Sequence, residues 1–444
     1  MSGLDIRDVI GIGFGPANIA LAVLMEERLL LQRALFLERK ATSSWHPGQM
    51  FEGADIQHNP LRDFVTPRNP CSSLGFLSYL KSVGRLFDFL NLDQPFPPRS
   101  EYAAYVQWVA DHFEDRVIYG DAVDSLNFVK HDCEQLCQLT TRAGRRLLAR
   151  SVVLAPGRTP LVPAVFANAI GRGAVHASDY LFELQRRLAA GDRLHRIAVV
   201  GASQSAVEIV LDLHARLPEA KIEMVWRGHG IKLKDTSPFT EHIYFPEFVD
   251  YYHSSSEADQ RRMSDELWRS NYGSADHDVI AALYLKLYEQ KVRGDMRLYA
   301  HPFSEVTTAT SDGKSTKVTL RERNTGSVST LNCDLVIVAC GYRNFGAGPE
   351  RELFHPLLAN IAPHVKRRSD NSLHILRNFQ LASADPDVDI PPVVINGLCE
   401  STHGFGDAGS FSLLSVRAVA ILDGLEASLG ARSAKAVKAV EGTI

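Results

Sequence analysis

Apolar positions in this chain fall into short continuous runs followed by helically spaced stretches, and that order occurs twice. The run Arg7–Ile12 leads into Gly11-Ile12-Gly13-Phe14-Gly15-Pro16, a helical stretch from Pro16 to about Leu30, and a second run at Ala34–Glu38. The pattern returns as Ile197–Val200, then Gly201-Ala202-Ser203-Gln204-Ser205-Ala206, a helix to about Arg216, and a run at Lys221–Trp226. Each is a strand, a glycine turn, a helix and a strand. Between them, residues 41–110 are rich in Pro, Asn, Arg and aromatics, with helical spacing at Gly75–Val83 and Tyr102–Phe113. Arg116–Gln138 and Arg145–Leu154 alternate as sheet strands do. Residues 231–299 are loop-rich, then helical at Val279–Lys291 through Ile280, Leu283 and Leu287. Strands return at Ser315–Glu322 and Asp334–Gly341, and a closing helix is predicted over Ser412–Leu429.

The two turns carry the chemistry. In a dinucleotide-binding βα turn, the first glycine allows tight turning and the second lets backbone approach a pyrophosphate. Gly11 and Gly13 meet this need. Gly15 and Pro16 open a helix whose free N–H groups and dipole favour the anion, and Glu38 ends the next strand where a carboxylate can accept from a ribose 2′-OH. FAD is the expected ligand, against a plain turn followed by a surface glutamate. In the second turn Gly201 is kept, but Ser203 replaces the second glycine; Ser203, Gln204 and Ser205 are the candidate contacts. Arg227 stands where an NADH site carries an acid, which favours the 2′-phosphate of NADPH, unless Arg227 is merely solvated. The implied fold is α/β, with two Rossmann-like dinucleotide-binding domains plus a small, mainly helical substrate-binding region. The expected boundaries are 1–190 with 335–444 for FAD, 191–230 with 300–334 for NADPH, and 231–299 for substrate.

Composition removes alternatives. The 444 residues are 45% hydrophobic and 23% charged with net charge −4, which draws the chain to neither nucleic acid nor an anionic membrane. No apolar stretch reaches the roughly 18 residues of a bilayer span. Six cysteines, at 71, 133, 137, 333, 340 and 399, form no disulfide or zinc framework, which fits a reducing cytoplasm. No metal site is expected. Only Cys133 and Cys137 lie close in sequence, and no redox pair precedes Cys133, so disulfide-reductase chemistry is disfavoured. Two dinucleotide units without metal or haem motifs imply hydride passing from nicotinamide to flavin.

At Ser44-Trp45-His46-Pro47-Gly48-Gln49-Met50 the chain resembles the flavin-dependent N-hydroxylating monooxygenases, the ornithine and lysine N-hydroxylases of siderophore biosynthesis. The likeness covers nearly the whole chain. It continues in order through Asp55-Ile56-Gln57, Arg62-Asp63, Thr66–Pro70, Gly84-Arg85-Leu86, Gly201–Glu208, Asp235–Phe239, Asn271-Tyr272, Ala339–Tyr342 and Thr402-His403-Gly404. The resemblance implies that NADPH reduces FAD, that O2 adds as a C4a-hydroperoxide, and that a neutral primary amine attacks its distal oxygen. It places Gln57 by the flavin and NADPH, Arg99 by the nicotinamide cofactor, Asn271 by the substrate, and Trp45, His46, Met50, Asn344 and His403 among the cofactor contacts. It also implies a homo-oligomer, a tetramer in the family.

The departures concern the substrate. Arg62 stands where the family has a lysine for the substrate α-carboxylate, and Glu241 where it has an asparagine, which points to a more cationic ligand unless Glu241 simply pairs with Arg62. The stretch Phe405–Phe411 is about four residues longer than its family counterpart. The expected substrate is an ornithine- or lysine-like amino acid or a diamine. Two alternatives remain at this point. His176 and Tyr180 match half of the signature of Baeyer–Villiger and S-oxidising monooxygenases, without its glycine spacing. A flavin-binding redox sensor with a weakened second turn is the other.

Overall fold

The computed structural model describes residues 6–132 and 134–441, with side chains described to residue 432. Cys133 therefore lies outside the described residues.

The first unit is a seven-stranded sheet in the order 117–119, 34–38, 6–12, 146–154, 134–141, 123–131, with Val393–Ile395 also pairing to 146–154. The strands from 117–119 through 146–154, together with 393–395, run parallel; 134–141 and 123–131 form an antiparallel extension. Glycine is required at position 11, because a Cβ there would lie 2.3 Å from the Phe36 ring on the neighbouring strand. The helix Pro16–Glu27 is buried from Asn18 to Met25, since the sheet covers one side and the closing helix Leu414–Glu441 the other. It stops short of Leu30 because Leu29 turns to φ 59°. The closing helix instead runs past Leu429, through an alanine- and lysine-containing segment of good helix formers.

The second unit is an all-parallel sheet in the order 298–301, 221–225, 196–200, 335–338, 174–176. Here the expected domain boundaries need correction. Ala174–His176 and Leu335–Val338 fall inside the bounds expected for the first unit, yet they pair within the second. Leu335–Val338 is buried throughout, as any central parallel strand is, and such a run does not reveal which sheet it joins. The two crossings between units run side by side: Leu161 N–H donates to Gly341 O at 2.9 Å and Arg343 N–H to Thr159 O at 2.8 Å. A three-stranded antiparallel sheet, 304–311, 316–322 and 328–333, packs on the second unit.

Residues 231–299 are mainly helical, at Pro246–Ser254, Glu257–Glu266 and His277–Arg293. The first two lie against the short helix Glu400–His403, whereas His277–Arg293 packs on Gln204–Arg216. The insertion thus touches both units. Among the described residues, no helix is long and apolar enough to cross a membrane.

Candidate active site

The first glycine turn is shaped by what surrounds it. Gly13 has φ +85°, and a Cβ there would come within 2.2 Å of Ala155 O, so only glycine fits. Gly15 precedes Pro16 at the helix start, and a Cβ at Gly15 would meet nothing within 4 Å. Backbone is thus exposed where an anion can approach the helix N-terminus. Glu38 is buried; its two oxygens accept from Phe14 N–H at 2.8 Å and Lys40 N–H at 2.9 Å, which ties the turn to the strand end. Sequence reasoning missed two supports. Asn18 Nδ2 donates to Gly13 O at 2.7 Å, and Asn396 Nδ2 donates to Asn18 Oδ1 at 3.1 Å. An asparagine inside an otherwise apolar helix face was the available signal.

The segment 45–57 bridges the units. Gly48 presses on the second unit so closely that a Cβ would lie 1.9 Å from Ser178 O, and Met50 packs against that unit's core. His46 adopts φ 46° and lies edge-on to Trp45 at 4.9 Å. Arg99 is buried here: Nη1 donates to Gln49 O at 3.0 Å, Nε to Asp55 O at 3.1 Å, and Nη2 reaches both oxygens of Glu208 at 3.0 Å. Its charge is therefore spent in a strut to the second unit's dinucleotide helix, and it does not stand free for a cofactor phosphate. Burial, reinforced by Asp278 and Glu208 and opposed by Arg99, pushes the Asp55 carboxyl up to about 7.

In the second turn, Gly201 leaves room for Ala339 O, which a Cβ would approach to 2.4 Å. Ser203 precedes the helix without capping it through its side chain, and Ser205 lies half-buried in its first turn. Gln204 links turn to insertion, accepting from Asp276 N–H at 2.8 Å and donating to Glu208 at 2.9 Å. Arg227 is exposed and, among the described residues, its guanidinium meets a loose contact with Glu350 at 3.4 Å, which leaves it available to an anion.

The substrate candidates converge. Asp63 is buried and accepts from the backbone N–H groups of Val65, Thr66 and Phe76, which fixes the loop presenting Arg62. Arg62 Nη1 lies 3.4 Å from Glu241 Oε2 and 3.3 Å from Ser412 Oγ, with Tyr244 under the guanidinium at 5.7 Å. The pairing of Arg62 with Glu241, the alternative to substrate contact, is present. Beside it, His58 stacks on Phe411 at 5.2 Å, and Trp45 and Tyr102 meet Phe411 edge-on. Burial, together with Arg62 and Lys234, lowers the His58 pKa to about 3, so its ring is neutral. The stretch 405–411 thus contributes an aromatic wall through Phe411.

Asn271 follows the turn Trp268–Ser270, and Tyr272 packs into the same cluster as Tyr244 and Phe405. The Tyr272 hydroxyl donates to Glu400, Asn344 Nδ2 donates to Glu400 Oε1 at 2.7 Å, and Arg158 donates to Asn344 Oδ1 at 2.9 Å. Burial raises Glu400 to about 7 against the pull of Arg158 and these hydrogen bonds. Neither Arg158 nor Glu400 stood out in sequence. Asn344 is engaged in this network and is not free-standing. His403 needs correction as a cofactor contact: it is fully buried, with Phe379 stacked at 4.0 Å, His253 at 4.8 Å, and both ring nitrogens facing protein partners. Its neighbour Arg417 forms a buried pair with Asp407 at 2.7 Å.

The residues fit a bound flavin. The first turn exposes backbone at Gly15, and the buried amide Nε2 of Gln57, Oδ1 of Asn396 and Nε of Arg158 have no hydrogen-bond partner among the described residues. Buried polar atoms of this kind ordinarily have partners. Two dinucleotide-type units around such groups define an oxidoreductase of the two-nucleotide flavoprotein class.

Comparison with known proteins narrows this class. Residues 5–344 match the family model of L-lysine 6-monooxygenase/L-ornithine 5-monooxygenase. The L-ornithine N(5)-monooxygenase of Burkholderia cepacia is 35% identical over 90% of both chains. The ornithine hydroxylase of Pseudomonas aeruginosa superposes with a TM-score of 0.85 at 31% identity, over 96% of this chain and 100% of that one. The ornithine N-hydroxylase of Kutzneria sp. 744, solved with reduced FAD, NADP+ and L-ornithine, gives 0.86 at 29% identity, over 95% and 99%. The chain belongs to the lysine/ornithine N-monooxygenase family, flavoprotein oxidoreductases that use NADPH and O2. The Baeyer–Villiger and redox-sensor alternatives give way to that membership.

Proposed function

We propose that this enzyme N-hydroxylates the side-chain primary amine of a small amino acid, with ornithine and lysine as the reference substrates, using FAD, NADPH and O2. The carrying observation is the meeting of Arg62 and Glu241 beside the wall of His58, Phe411 and Trp45, a few residues along the chain from the unpaired Gln57 amide. FAD, when bound, supplies the activated oxygen. Gly11, Gly13, Gly15 and Pro16 hold its pyrophosphate, and Glu38 its ribose. Gly201, Ser203 and Ser205 receive NADPH, and Arg227 grips the 2′-phosphate.

The remaining tasks belong to the substrate pocket. An alkylammonium with pKa of about 10.4 must lose a proton before its nitrogen can attack, and an apolar wall disfavours the charged form. The neutral His58 ring stacked on Phe411 adds no charge to that wall. Gln57, whose buried amide nitrogen has no partner among the described residues, would serve the cofactor, and Asn271, next to the Tyr272 that donates to Glu400, would serve the substrate. The test is hydroxylamine formation by the FAD-loaded enzyme with NADPH and O2, over ornithine, lysine, arginine, diaminobutyrate, aspartate, putrescine and cadaverine. Hydroxylamine from an amino acid supports the reading. Sulfoxide or ester products from sulfides or ketones, with no hydroxylamine, would refute it.

A further inference from the structure

The buried arginines around this site differ in what balances their charge. Arg99 meets both oxygens of Glu208 at 3.0 Å, and Arg417 meets Asp407 at 2.7 Å. Arg158 has no such partner: among the described residues it forms no ion pair. Its Nη2 donates to the neutral amide of Asn344 at 2.9 Å, and its buried Nε donates to nothing among the described residues. The guanidinium lies over the rings of Tyr272 at 5.3 Å and Tyr342 at 5.4 Å. Burial works against the cation, yet Tyr272 and Glu400 outweigh it and the pKa is raised, so the group stays charged. Glu400 does not close on it directly, because Asn344 takes Oε1 of that carboxyl and Tyr272 takes Oε2.

A buried charge without a counter-charge, and with a donor left over, is costly unless an anion completes it. Ring faces and an amide soften that cost without neutralising the charge. We propose that Arg158 anchors an anionic oxygen group of a bound ligand, a carboxylate or a phosphate, where amine substrate and nicotinamide nucleotide meet. The inference rests on the reading that both ligands enter this site and is independent of the chemistry that follows. The planar guanidinium suits either group, since each offers two oxygens to paired N–H donors. Position names the two sources. On one side, Tyr272 adjoins Asn271, and Gly409 of the aromatic-wall stretch leaves Nη1 uncovered, where a Cβ would come within 3.3 Å. That is the side of a substrate carboxylate. On the other side, Tyr342 lies just past Ala339, whose carbonyl bounds the Gly201 turn, and His176 meets the Tyr342 ring at 5.3 Å. That is the side of a phosphate on the nicotinamide nucleotide. The flavin pyrophosphate has its own cradle at Gly13 and Gly15.

Local structure fixes the guanidinium before any ligand arrives. Thr159, the next residue, accepts from Arg343 N–H at 2.8 Å and donates through Oγ1 to Glu352 at 3.0 Å. Asn344 follows Arg343 and takes Nη2, so the two crossings between the units hold the arginine from backbone and side chain together. Little side-chain freedom is left to lose on binding, which favours a strong anion contact.

The experiment compares FAD-loaded wild type, Arg158→Lys and Arg158→Gln with the flavin oxidised, so that no turnover occurs. Equilibrium binding is measured by calorimetry for two ligand sets, and flavin content and near-UV dichroism verify folding in each variant. The first set is NADP+, nicotinamide mononucleotide and, as the control without the nicotinamide-side phosphate, 2′,5′-ADP. The second is L-ornithine and L-lysine, with putrescine and cadaverine as controls without a carboxylate. Arg158→Gln is expected to weaken the ligands that carry the anchored group by roughly 10-fold to 100-fold, the range for hydrogen bonds to a charged group, and to spare their controls. Arg158→Lys is expected to recover most of that loss. Loss confined to NADP+ and the mononucleotide identifies a phosphate, and loss confined to the two amino acids identifies a carboxylate. Unchanged affinity for every ligand, equal loss for ligands and controls, or loss of FAD on purification would overturn the anchor. Hydroxylamine formation by wild type is assayed separately: its absence would overturn the N-hydroxylase reading, while the binding data alone decide Arg158.

Discussion

Glu400 offers a pH-dependent test of the network behind Asn271. Its carboxyl is lifted from the ordinary glutamate value of 4.5 to about 7, chiefly by burial, although Arg158, Tyr272 and Asn344 pull the other way. At 1.36 kcal/mol per tenfold change, that displacement is worth about 3 kcal/mol. The folded pKa lies above the unfolded one, so the folded state holds the proton longer, and stability is lost as pH rises from about 4.5 through about 7. Glu400→Gln removes the titration while keeping an amide that can accept from Tyr272. Asp55, raised to about 7, titrates with the same sign in both proteins, and His58, lowered to about 3, with the opposite sign. The difference between variant and wild type therefore isolates Glu400. Urea unfolding of the FAD-loaded proteins at pH 5 and pH 8 should show the variant gaining about 2–3 kcal/mol on wild type across that interval. Its KM for substrate should also rise, because the amide has one acceptor oxygen where Glu400 offers two, so Tyr272 and Asn344 can no longer each donate to their own oxygen beside Asn271. A stability difference that stays constant with pH would refute the assignment of a raised Glu400.

Other substitutions separate the remaining roles. Gly13→Ala, with φ +85° and a Cβ 2.2 Å from Ala155 O, should purify with little flavin, measured by FAD absorbance; a full flavin load would contradict the cradle. Arg227→Ala should raise KM for NADPH about 10-fold or more with little effect on NADH, and equal loss of both would mean that Arg227 does not meet the 2′-phosphate. Glu208→Gln should cost about 3–5 kcal/mol by leaving the buried Arg99 cation without its carboxylate, read from urea unfolding. An unchanged midpoint with a raised KM for NADPH would return Arg99 to the cofactor.

The legible parts of this chain were those whose pattern is local. Ala34–Glu38 and the helix ending at Arg216 occur where hydrophobic period and glycine placement put them, because a βα turn is specified by a few consecutive residues. Sheet membership was not legible at Ala174–His176 and Leu335–Val338, since a short buried strand looks alike in either sheet. The site divided in the same way. Arg62 and Glu241 were readable as departures at known positions, but their pairing spans 179 positions of sequence and needed the fold. Arg99 and His403 read as cofactor residues by motif, yet Glu208 occupies one and packing by Phe379 and His253 encloses the other. Arg158 and Glu400 gave no local signal, because their meaning arises from burial beside Asn344 and Tyr272.

If, as proposed, the enzyme delivers oxygen to an amine nitrogen, the yield of hydroxylamine per NADPH oxidised, with hydrogen peroxide measured in parallel, reads that chemistry directly. One free amino acid with a side-chain amine is expected to give hydroxylamine in near-equal amount to NADPH consumed. NADPH consumption accounted for wholly by peroxide across the entire amine panel would contradict it.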